Sequence, residues 1–244
     1  MSQAPLLQRR EGDVCYLTLN RPEQGNALSR ELVDALDGAL DDCAQRGVAA
    51  VVIEGNGRHF CTGFDLSGLT DETDDGLLAR FTRIELMLQR VARAPFHTVA
   101  VAQGRVMGAG ADLFAACAQR VALDGASFAF PGARGFGLVL GSRRLVQRVG
   151  AERARGWIES ACVFRDTEAL GAGLATACAA SAEDVVLERP ANRTDCLLDG
   201  AIDGHAEIDD ARDLAALVRS AAVPGLRQRV ADYLQKQAQA RTSR

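Results

Sequence analysis

The chain has 244 residues, 48% of them hydrophobic and 25% charged, with a formal net charge of −4. That length can bury a sizeable core, and the charge argues against nucleic acid or an anionic membrane surface as a partner. No apolar run approaches the roughly 20 residues of a membrane span. The start, MSQAPLLQRREGDVCYLTL, lacks the basic-then-apolar order of a signal peptide, and its position is expected to hold a first strand.

Reading onward, VCYLTLN (14–20) is rich in β formers and predicts a strand, and RPEQGNA supplies the turn after it. A helix follows from Ser29, a plausible N-cap, with Leu32, Leu36, Leu40 and Cys43 forming one apolar stripe. VAAVVIEG (48–55) reads as a strand buried on both faces. GLTDETDDG (68–76) is acidic and poor in apolar residues, which predicts a mobile surface loop. A second amphipathic helix is expected over Leu77–Ala94, ended by Pro95. HTVAVAQG (97–104), QRVAL (119–123) and ASFAF (126–130) are strand candidates. From Gly141 to Leu174 the pattern is mainly helical, with breaks at Gly150 and Gly171. Beyond Ser181 the chain turns polar before helices return, broken at Pro224. The expected class is α/β: a core of β-β-α units over 1–180 and a helical C-terminal region over 181–244.

Cys15, Cys43, Cys61, Cys117, Cys162, Cys178 and Cys196 are scattered, with no C-x-x-C pair. They predict reduced thiols in a cytoplasmic protein. His59, His97 and His205 have no metal-ligand spacing, so no metal is expected. G-x-G-x-x-G and G-x-S-x-G are both absent, which argues against dinucleotide binding and a serine hydrolase.

Two strand-to-glycine turns stand out: VVIEGNGRHFCTGFDLSGL and VAVAQGRVMGAGADLFAAC. Each leaves backbone N–H groups free, here of Phe64 after CTG and of Ala109 within GAG. Two convergent N–H donors make an oxyanion hole, which stabilises charge developing on a carbonyl oxygen. Two ordinary βα turns of an α/β domain would leave the same pattern, and spacing alone does not separate the two.

LNRPEQGNALS, VVIEGNGRHFCTGFDL, VAQGRVMGAGADLFAAC, ASFAFPGARGFGLVLGSRRL and DTEALGAGLA occur in an order that resembles the crotonase (enoyl-CoA hydratase/isomerase) superfamily. The resemblance covers roughly residues 12–180. It implies a spiral of β-β-α turns, a C-terminal helical region that builds a homotrimer or homohexamer, and acyl-CoA thioesters as substrates. No cofactor is implied beyond the coenzyme A that the substrate carries. The charge stabilised there would be that of a thioester enolate, held by the N–H groups of Phe64 and Ala109 with the helix dipole behind Ala109. Phe64, Asp65 and Leu66, with Gln24, Asn26, Ala27 and Leu28 nearby, would grip the adenine and pantetheine parts of coenzyme A.

The sequence departs from this pattern at its acid–base positions. Hydratases of the family use two glutamates, and the first aligns with Asp112, one methylene shorter. The second follows a proline, where FAFPGARG places Gly132, a position beside the substrate with no side chain for acid–base work. The usual PGAGGTQRL is shortened to LGSRRL, which is expected to reshape the wall beside the acyl chain. Asp112 is then a sole acid/base, or only a first-turn acid complementing a helix dipole. Arg134, Arg143 and Arg144 are candidates for anion contact or exposed surface residues, and Glu85 reads as a surface acid that can alternatively face the pocket. One carboxyl suits isomerisation or another enolate reaction better than hydration; the competing expectation is a catalytically weak acyl-CoA-binding or assembly-partner protein.

Overall fold

The computed structural model describes residues 3–188 and 206–242. Cys196 and His205 lie outside the described residues. Strands β1 (Leu6–Glu11) and β2 (Val14–Leu19) form an antiparallel pair, and helix α1 (Arg30–Arg46) follows. The Ser29 side chain caps α1 by accepting the Leu32 N–H at 3.2 Å, and the stripe from Leu32 to Cys43 is buried. Strand β3 (Ala50–Gly55) leads to helix α2 (Asp74–Ala92), and β4 (His97–Ala102) with β5 (Arg105–Met107) leads to α3 (Ala109–Ala116). Then come β6 (Gln119–Leu123), β7 (Ser127–Ala129) and α4 (Gly132–Phe136).

The repeat is a climbing spiral. Strands β2, β3, β4 and β6 lie parallel in a six-stranded sheet ordered β1-β2-β3-β4-β6-β9, where β9 is Ala177–Ala179. After each of these strands the chain crosses to a second layer. There Leu28 bridges Phe64, Cys61 bridges Val106 of β5, and β5 pairs with β7. The helix of each turn then returns the chain to the large sheet. Apolar side chains fill both faces of β3: Val51 and Ile53 join the main core, Ala50 and Val52 a second cluster with Val14, Val99 and Val101.

Helices α5 (Ser142–Val149) and α6 (Ala151–Ser160) are separated at Gly150 as expected. A two-residue strand, β8 (Phe164–Arg165), and α7 (Asp166–Gly171) complete the core; periodicity cannot register a strand so short. Helices α8 (Ala206–Ala221) and α9 (Leu226–Thr242) flank Pro224. No described helix is long and apolar enough to cross a membrane.

The acidic segment 68–76 is built differently from the surface loop expected of it. Leu69–Asp71 is a 3-10 turn, and Thr73 caps α2 by accepting the Gly76 N–H, so α2 begins at Asp74. Glu72 accepts from Arg30 at 2.8 Å and from Arg80 at 3.0 Å. The Asp74 carboxylate accepts the N–H groups of Gly225, Leu226 and Arg227 at 2.8–3.1 Å, capping the start of α9. Its acids pair with groups distant in sequence, which composition does not reveal.

Candidate active site

The site is assembled from the second-layer crossings. Asn26 is fully buried with a φ of 55°, and its amide is saturated: Oδ1 accepts the Arg21 N–H, while Nδ2 donates to the carbonyls of Asn56 and His59. It thus pins the turn after β3. From there Phe60 donates to the Gln103 carbonyl, and Met107 donates to that of Cys61 at 3.0 Å, so segment 60–63 runs beside β5.

Gly63 lets this segment meet the start of α3. Its φ is +102°, and a Cβ there would lie 2.8 Å from the Met107 carbonyl oxygen and 3.6 Å from the Ala109 nitrogen. Only a residue without a side chain lets the two turns close together. Gly110 has the same logic on the facing side, because a Cβ there would collide with the Cys61 carbonyl. Among the described residues, the N–H groups of Phe64 and Ala109 have no hydrogen-bond partner. Both residues line a cleft of about 250 Å³.

Asp112, in the first turn of α3, lines the same cleft and is only 5% exposed. Burial pushes its carboxyl well above the ordinary carboxylate range; the charge of Arg144 opposes the rise and that of Glu85 adds to it. Leu66 and Gly132 also line the cleft, Gly132 opening α4 behind Pro131. A Cβ on Gly132 would meet only the Leu138 carbonyl, at 3.4 Å. The position therefore has room for a side chain and lacks one. The shortened segment contributes Leu140, Ser142 and Leu145 to the wall.

Gln24, Asn26, Ala27, Leu28 and Asp65 do not line this cleft; they build the rim that supports it. Leu28 donates its N–H to Gly63 at 2.8 Å and accepts from Asp65, while Thr62 donates to Gly25. Asp65 pairs with Arg21 at 2.7 Å and accepts the Ser67 N–H. Burial alone would raise its carboxyl, but the hydrogen bonds from Ser67 and Arg21 outweigh that and hold it below the usual range. Arg80 donates to the Asp65 carbonyl and lies 4.1 Å over the Phe64 ring, which also stacks on Phe81 at 4.1 Å.

Glu85 differs most from its expected place. It is fully buried and accepts from Arg144 Nη2 at 2.6 Å and from Gln89 at 2.9 Å. Arg144 is itself buried, and its Nη1 donates to Asp213 of α8 at 3.2 Å. Arg143 binds Asp213 and Asp209. Arg134 alone of the three arginines is at the surface, donating to the Glu159 carbonyl. Sequence reasoning also missed Tyr233 and Gln237 of α9, which line the cleft. The Tyr233 ring seats against Gly135 of α4, where a Cβ would stand 2.8 Å from it. The signal was the apolar periodicity of the tail, which marks a buried face without saying what it covers.

The described cysteines are free thiols, and burial pushes those of Cys61 and Cys117 up to about 12, leaving them inert.

Comparison with known proteins identifies the architecture. The family described as Enoyl-CoA hydratase/isomerase matches residues 9–244. A "Probable enoyl-CoA hydratase" of Bacillus subtilis is 31% identical over 180 residues, 71% of this chain and 68% of that protein. "Probable enoyl-CoA hydratase echA6" of Mycobacterium bovis is 35% identical over 166 residues, 66% of this chain and 65% of that one. A crystal structure from Bordetella parapertussis, described as "putative enoyl-CoA hydratase/isomerase", superposes with a TM-score of 0.83 at 40% identity, covering 95% of this chain and 99% of its own.

Proposed function

This chain belongs to the enoyl-CoA hydratase/isomerase family, and from that premise we propose that it processes an acyl-CoA through a thioester enolate, favouring isomerisation over hydration. The observation that carries the reading is that, among the described residues, two unpartnered N–H groups, of Phe64 and Ala109, share the cleft with a single carboxyl, Asp112. Seated between these donors, a thioester oxygen would be held more strongly as its negative charge develops, so they lower the barrier more than they tighten ground-state binding.

In this reading the ionised Asp112 takes a proton from the α carbon of a β,γ-unsaturated thioester. The electron pair moves into the conjugated dienolate, and its charge rests on the thioester oxygen. Asp112 then returns the same proton to the γ carbon, the double bond settles between the α and β carbons, and no water is consumed. Hydration needs a second group to hold the water, and Gly132 offers none. The apolar wall of Phe130, Leu145, Ile158 and Val163 suits an acyl chain without charge. In the same reading the rim of Gln24–Leu28 and Phe64–Leu66 holds the coenzyme A portion, and the enzyme works in the cytoplasm as a homotrimer or homohexamer.

The test is to supply 3-enoyl-CoA and 2-enoyl-CoA esters and follow conjugation and water addition separately. Conjugation should far exceed hydration. Hydration of crotonyl-CoA at ordinary enzymatic rates would overturn the account of Gly132. Absence of any affinity for coenzyme A esters at millimolar ligand would remove the reading as a whole, and tight binding without turnover would favour a binding or assembly-partner protein.

A further inference from the structure

Among the described residues the Asp112 carboxylate accepts no hydrogen bond, yet charged groups stand on α2, α5 and β5, which pack most closely against α3. From α5 comes Arg144, 4% exposed, three residues beyond Gly141, where an added β carbon would collide with the Asp112 carboxyl. Two of the Arg144 donor nitrogens are held, by Glu85 at 2.6 Å and by Asp213 at 3.2 Å, and its Nε–H is buried without an acceptor. From α2 comes Glu85, fully buried. The other charges of α5 are engaged elsewhere: Arg143 with Asp209 and Asp213, Arg148 with the carbonyls of Ala115 and Cys117. From β5 comes Arg105, exposed at the cleft.

A pair of charges taken out of water is weak support for a fold, because desolvation offsets much of the attraction. Its position beside the cleft carboxyl gives this pair another use. We propose that Arg144, clamped by Glu85 and Asp213, is a positioning residue that sets the charge state of Asp112 without lining the cleft. The fixed cation keeps a buried carboxyl able to ionise, and Glu85 limits that help so the carboxyl also holds its proton long enough to deliver it. The directions agree, since burial raises the Asp112 carboxyl, Arg144 lowers it and Glu85 raises it further. The proposal rests on the reading of Asp112 as the acid/base.

The two ends of one ion pair make opposite predictions. Arg144→Met should move the Asp112-controlled limb of the pH–rate profile up by about one unit or more, and Glu85→Gln should move it down. Both changes break the same contact, so a purely structural role moves neither limb or moves both alike, and either result overturns the proposal. If Arg144→Met does not fold, the double variant Glu85→Gln/Arg144→Met leaves no unpaired member of the pair. Its limb should lie at least about one unit above that of Glu85→Gln alone, and coincidence of the two overturns the proposal. Carbon-13 NMR titration of the Asp112 carboxyl, assigned with Asp112→Asn, reads the same shifts without substrate. Full turnover in Asp112→Asn would end the acid/base reading, while the titration would still judge whether Arg144 governs this carboxyl.

Discussion

Asp112 fills the space a side chain at Gly141 would need: a β carbon at position 141 would stand 2.6 Å from Asp112 Cγ, and Gly141 has a φ of +62°. The carboxyl therefore packs over the start of α5, where glycine leaves it room. Gly141→Ala should lower turnover at least tenfold by displacing the carboxyl about 1 Å, a misplacement of the kind that costs catalysis heavily. It should also lower stability by about 1–2 kcal/mol, the cost of a positive φ with a side chain. Steady-state kinetics and thermal melting read the two effects; unchanged turnover would show that the carboxyl tolerates displacement.

Asp112→Asn keeps the shape and loses the proton carrier. Turnover should fall by roughly 10²–10⁴-fold. A carboxyl raised on folding adds stability below its unfolded value and loses that stability as pH rises through its folded value. The amide that replaces it does not titrate, so the melting midpoint of the variant should gain on that of the parent as pH rises. A gain of about 2–4 °C is the scale that ~1 kcal/mol makes in a chain of this size. A constant difference across pH would show that Asp112 is not raised.

Gly132→Glu is sterically permitted, because the position is not in the left-handed region and only the Leu138 carbonyl approaches. A carboxylate beside the cleft should restore water activation and raise crotonyl-CoA hydration by at least about tenfold, the low side of what a positioned general base contributes. Hydration that stays flat, with the variant folded, would place the deficit elsewhere.

Asp74 holds the start of α9 through three N–H groups, and these bonds, against a smaller opposing effect of burial, keep its carboxyl below the ordinary range. Its contribution is present above the unfolded value and is lost as pH falls through the folded value. Asp74→Ala should speed amide exchange in α9 and raise KM, since that helix carries Tyr233 and Gln237 to the cleft. Exchange equal to that of the parent would show that packing alone holds the helix.

The tail bears apolar side chains still half exposed, among them Ile208 and Val223, each at 52%. Sedimentation at micromolar concentration should show a trimer or hexamer, and a monomer would refute the assembly.

Local chemistry made much of this protein legible. The strands β2, β3, β4 and β6, the Ser29 cap, the breaks at Gly150 and Pro224, and the absent side chain at Gly132 come from period, capping and residue identity, which are properties of neighbours in the chain. The placement of Phe64, Leu66, Ala109, Asp112 and Gly132 at one cleft was expected only through the order of linked motifs. Their juxtaposition is tertiary: Gly63 and Gly110 allow it because the facing backbone segments lie in contact. Glu85 and Arg144 were beyond local reading. On its helix each looks like any solvated charge, and what buries it is a partner 59 residues away. The acids of segment 68–76 misled for the same reason, since Asp74 finds its donors some 150 residues on. Burial of a charge is decided by what the fold sets opposite it, and only the tertiary structure supplies that partner.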